Sequence, residues 1–94
     1  MVGSLKRPGP EAVADAVRRA VIGRGAGKSV CPSEVARSLA AEGAAPDEWR
    51  SLMGAVRDAA CGLARGGEIE ILRKGKPIAP DSLRGVIRLR MAAR

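Results

Sequence analysis

The sequence predicts an α+β domain of three amphipathic helices followed by a β-hairpin. Two periodicities and one charge asymmetry lead to that class. Up to Arg65 the apolar residues recur at three- and four-residue spacing, the period of helices lying on a core. After Gly66-Gly67 they alternate: Ile69 and Ile71 against Glu68 and Glu70, then Ile87, Leu89 and Met91 against Arg88 and Arg90. That is the period of half-buried strands. Residues 73–94 hold seven basic side chains against Asp81 alone, a net +6, whereas residues 1–72 carry ten basic and nine acidic ones, a net +1. The charge therefore belongs to the hairpin end of the chain.

Residues 1–9, a mixture of Gly, Ser, Lys, Arg and Pro, read as a flexible lead-in to a domain spanning 10–91, with 92–94 as a flexible C-terminus. Pro10 suits the first position of a helix, where its missing N–H would be unpaired anyway. Val13, Ala16, Val17, Ala20 and Val21 form that helix's inner stripe. The run Gly23 to Ser29, GRGAGKS, looks like a phosphate-binding loop. However, it has three residues rather than four between its first Gly and Gly-Lys-Ser, and it follows a helix instead of a strand.

Ser29 and Val30 allow a short strand, and Cys31-Pro32-Ser33-Glu34 then opens a second helix, with Glu34 placed to reach back to the cap. Val35, Ala36, Leu39 and Ala40 face inward and Gly43 ends the helix. The third helix is expected to run unbroken from Pro46 to Arg65. Trp49, Leu52, Met53, Val56, Ala59, Ala60 and Leu63 lie on its inner stripe, and Arg50, Gly54, Arg57, Cys61 and Arg65 on the opposite edge. Strands over 68–72 and 86–91 should pair antiparallel, setting Glu68 and Glu70 near Arg88 and Arg90, with residues 73–85 as a Lys-, Gly- and Pro-rich loop. Helix, helix, third helix, then a hairpin with a basic tip is the order of a winged helix-turn-helix with its C-terminal β-hairpin wing.

Ninety-four residues make one domain with a thin core. With Trp49 as the only aromatic residue, the core is expected to form around it, so truncation there should cost roughly 3 to 5 kcal/mol. There is no His, which removes the commonest general base and metal ligand. Cys31 and Cys61 are thirty residues apart, outside any CxxC spacing. No stretch reads as a signal peptide or bilayer span, so the expectation is a cytoplasmic protein with free thiols and no membrane partner.

Three segments carry a family resemblance: CPSEVARSL, DEWRSLMGAVRDAACGLARGGEIEI and KGKPIAPDSLRGVIRLR. In combination they resemble a small bacterial winged-helix-like family catalogued as a domain of unknown function, over roughly Pro10 to Leu89. The resemblance implies the fold. It brings no activity, cofactor or site residue with it, and fold alone does not supply function.

The residues themselves point first to double-stranded DNA. In a winged helix-turn-helix the third helix can enter the major groove while the wing holds adjacent backbone. The contacts would be Arg50, Ser51 and Arg57 on the helix and Arg73, Lys74, Lys76 and Arg84 in the wing, with Gly54 permitting close approach and Lys28 adding a phosphate contact. Only Arg50 and Arg57 are placed to read bases. Against this, both arginines could pair with Asp47, Asp58 or the strands, the wing lysines could be plain solvated loop, and a basic surface also serves solubility.

The alternative is a protein-interaction module, docking another protein or a second copy through Leu72, Ile78, Leu83 and Val86, unless these fold back into the core. An enzyme is not expected, and no cofactor or metal is called for. Cys31, at a helix start, is the one residue with a physical argument for reactivity.

Overall fold

A computed structural model describes residues 8–43 and 45–92. The expectations for residues 1–7, 93 and 94, and Ala44 of the inter-helix turn, lie outside the described residues. Helix α1 spans Pro10–Arg24, strand β1 Ser29–Val30, helix α2 Pro32–Glu42, helix α3 Met53–Arg65, strand β2 Ile69–Arg73, strand β3 Lys76–Ile78 and strand β4 Arg88–Met91. Two 3₁₀ stretches, Pro46–Leu52 and Pro80–Ser82, precede α3 and follow β3. The strands form one antiparallel sheet in the order β1-β4-β2-β3. This α+β arrangement is compatible with a winged-helix-like fold.

The helix starts follow from their caps. Pro10 and Pro32 take first-turn positions, and the backbone N–H of Cys31 donates to Glu34 Oε2 at 2.9 Å, closing the reach-back contact expected of Glu34. The inner stripe of α1 is buried as its spacing requires, at Val13, Ala16, Val17 and Val21. At the other end, Gly67 stands at φ +79, a left-handed conformation that lets the chain leave α3 and enter β2 without a Cβ clash.

The expected single rod from Pro46 to Arg65 is wound in two ways. Residues Pro46–Leu52 are 3₁₀ and only Met53–Arg65 are α-helical. The link from α2 is short, with the Ala45 N–H donating to Ala40 O at 2.9 Å and the Glu48 N–H to Ala45 O at 3.0 Å, so the chain enters in a tight three-residue turn. Leu52 and Met53 keep helical dihedrals, so the winding changes without an interruption.

That winding displaces Trp49 from the centre. Its side chain is half-buried at the edge of the core, and the buried centre is aliphatic: Ile71, Ile87, Leu89, Val17 and Val56. The guanidinium carbons of Arg37 and Arg50 lie over the indole at 4.4 and 4.5 Å from its centroid. Trp49→Ala should therefore cost about 2 kcal/mol in urea unfolding, a partial burial plus two exposed cation–π contacts, rather than the 3 to 5 of a core aromatic.

The sheet departs from a two-strand flap. Strands β2 and β4 do pair, with Glu70 opposite Arg90 and Leu72 opposite Arg88, and β1 adds to the far side of β4. Residues 76–78, expected in a loop, form β3 against β2, with Arg73 opposite Lys76. Lys74 and Gly75 are thus a two-residue hairpin turn, both at positive φ, +53 and +81, the pattern whose twist matches the flanking strands. Ile78 and Leu83 are half-buried against the core and Leu72 is buried, leaving Val86 as the exposed member of the apolar surface expected for protein docking.

Candidate nucleic-acid interface

The hairpin tip concentrates positive charge that nothing in the described chain neutralises. Lys74, Lys76 and Arg84 are exposed and Arg73 half-buried. Among the described residues none of the four takes part in an ion pair or side-chain hydrogen bond; the acids are committed elsewhere or lie on other elements. Arg90 Nε donates to Glu70 Oε1 at 3.0 Å across β2 and β4, as the alternation predicts. Glu68 departs from that expectation. It accepts from Arg18 of α1, at 2.8 Å from Nε, and this guanidinium holds the Glu68 carboxyl below the usual glutamate range. Arg88 likewise turns away from the glutamates, with Nε donating to Ser29 Oγ at 2.7 Å and a terminal N–H to Ser29 O at 3.0 Å.

The face of α3 expected to enter a DNA groove is partly covered by the chain itself. Arg57 donates to Gly85 O at 2.9 Å, the Cys61 thiol lies 3.7 Å from Pro80 O, and Arg65 pairs with Asp81. These three residues stand four apart, so one edge of α3 is the seat for residues 80–85 on their way from β3 to β4. Asp81, the single acid beyond Arg73, is consumed there. Arg57 therefore ties the segment before β4 to the helix and does not reach out as a base reader. The alternative left by the sequence named Asp47, Asp58 or the strands as partners; the observed partner is instead a backbone carbonyl in the segment ahead of β4.

Arg50 and Ser51 sit on the 3₁₀ stretch ahead of α3. Arg50 is exposed and stacked on Trp49, and Ser51 Oγ donates to Glu48 O at 2.7 Å. Gly54 is exposed, with nothing within 4 Å of where a Cβ would stand, so close approach there is free. Asp47 and Glu48 are exposed beside Arg50, and their carboxylates would repel a phosphate at that end. Lys28 is exposed immediately before β1.

The structure thus separates the predicted site in two. A mixed-charge patch surrounds Trp49, and a uniformly basic one occupies the β2–β3 turn, while Arg84 is exposed on the segment between β3 and β4. Sequence reading missed Arg37, whose stacking on Trp49 joins residues twelve apart on different elements. It also missed that Arg88 and Arg24 converge on Ser29, whose carbonyl accepts from Arg24 Nε at 3.1 Å. No local pattern carries either signal.

Three helices packed against a small antiparallel sheet, with an uncompensated basic hairpin at its end, define an α+β domain compatible with a winged-helix-like fold. The chain belongs to the family described as protein of unknown function, DUF3253, whose model matches residues 10–92. No protein of curated function matches it. No described helix is long and apolar enough to cross a membrane.

Proposed function

We propose that this domain is a binding module, not an enzyme, that holds double-stranded DNA by its phosphates through the β2–β3 turn and Arg84, with little choice of sequence. The observation that carries the reading is Lys74. It stands at φ +53 in a two-residue turn, where Asn, Asp or Gly is favoured and an ordinary side chain costs roughly 1 to 2 kcal/mol. A lysine placed against the local preference, exposed, unpaired and beside Arg73 and Lys76, is explained by what it contacts rather than by what it stabilises.

Phosphate contacts give affinity and register, whereas base contacts give choice. The groove-reading role foreseen for Arg57 is weakened by its bond to Gly85, so backbone contacts dominate this proposal. Both described cysteines are free, which suits a cytoplasmic setting.

Two measurements test it. Four phosphate contacts from Arg73, Lys74, Lys76 and Arg84 should give fluorescence-anisotropy affinities for a random 20-base-pair duplex that fall with salt at a log–log slope of about −3.6. Absence of binding at about 50 mM salt would remove the proposal. In addition, Lys74→Asn should raise the thermal midpoint by about 4 °C, as the strain at the turn is relieved, while weakening duplex binding. A variant that is both stabler and an equally good binder would show that Lys74 serves neither purpose.

A further inference from the structure

Beside the basic turn lies a groove of about 580 Å³ on the sheet face away from the core, and its chemistry exceeds what a phosphate backbone needs. Leu72 forms its floor. Strand alternation turns Leu72 away from Ile69 and Ile71, and it stands outside the main core cluster although it is buried. Val86 forms one wall and is 83% exposed, the most exposed large hydrophobic residue among those described. Ser29, Arg73, Lys74 and Arg88 are also in its lining, and no carboxylate is.

We infer that this groove takes an extended acidic peptide segment in which apolar and carboxylate side chains alternate. A phosphate backbone makes no use of Leu72 and Val86. Cations in the lining suit a ligand bearing several carboxylates, and the alternation of an extended chain lets one set of side chains pack on Leu72 and Val86 while its carboxylates stay near the cations at the rim. Strand addition at a sheet edge is a poor alternative, because edge strand β3 has three residues, one of them Pro77, and edge strand β1 has two. The inference concerns a different ligand from the duplex; the two share Arg73 and Lys74, but Leu72 and Val86 belong to the groove alone, so a change at Val86 tells them apart.

The test uses the full chain and three fluorescein-labelled decapeptides of alternating Glu-Leu, Glu-Ser and Lys-Leu. The Glu-Leu peptide should bind, Glu-Ser about tenfold more weakly, and Lys-Leu not at all. Val86→Ser, at an exposed position with no role in the core, should lower Glu-Leu affinity about tenfold and leave random-duplex affinity unchanged. Equal binding of Glu-Leu and Glu-Ser, or Glu-Leu affinity indifferent to Val86→Ser, would overturn the inference. So would a tenfold loss of duplex binding in Val86→Ser with no peptide bound, which would assign the groove to nucleic acid.

Discussion

Leu89→Ala should lower the unfolding free energy by about 3 to 4 kcal/mol and the thermal midpoint by roughly 15 to 25 °C. Leu89 has no exposed surface and lies in β4, opposite Val30 of β1 on one side and Ile71 of β2 on the other. Truncation leaves a void between two strand pairings and the helices that cover them, and those neighbours cannot collapse into it without breaking register. In a domain whose total stability is on the order of 5 to 15 kcal/mol, that loss leaves a marginal fold. Urea unfolding of the variant beside Trp49→Ala decides where the core is centred. A larger loss at Trp49 than at Leu89 would overturn the aliphatic centre seen in the structure.

Replacing Lys74 and Lys76 together by Gln should reduce duplex affinity about a hundredfold at 50 mM salt and halve the salt slope, because two of four phosphate contacts disappear. The fold should hardly change. Both side chains are exposed and unpaired among the described residues, and Gln keeps a polar, flexible side chain without placing a new charge beside Arg73. Changing Arg57 would be a poorer choice, since its bond to Gly85 O anchors the segment leading into β4 and any loss of binding would be mixed with a loss of structure. Anisotropy at four salt concentrations reads both quantities. An unchanged slope with reduced affinity would mean the lysines act through conformation and not through phosphate contact.

Much of the scaffold was legible in the chain. The stripe of α1, the Pro32 start of α2 with its Glu34 contact, the exit at Gly66-Gly67 and the Glu70–Arg90 pairing all follow from rules acting over a few residues or across one strand pair. Strand β3 was missed because Pro77 inside a short run argues against a strand, and the turn before it lacks its usual residue pair, having Lys in front of Gly. The 3₁₀ entry to α3 was missed for another reason: the spacing of Trp49, Leu52 and Met53 is satisfied by either winding, and packing against α2 makes the choice.

The candidate site was legible only as an inventory of cations. Charge counts placed the excess in residues 73–94, but which cations stay available is set by partners distant in sequence. Glu68 is engaged by Arg18 fifty residues away, Arg57 by Gly85 twenty-eight away, and Arg65 by Asp81 sixteen away. Sequence alone determined the helices, the change of period and the sign of the hairpin, since these arise from local backbone preference and hydrophobic spacing. Tertiary structure decided that α3 would lend an edge to residues 80–85 and that Arg73, Lys74, Lys76 and Arg84 would remain uncommitted. A charge is neutralised by whatever the fold brings within a few ångströms, and chain order does not record that distance.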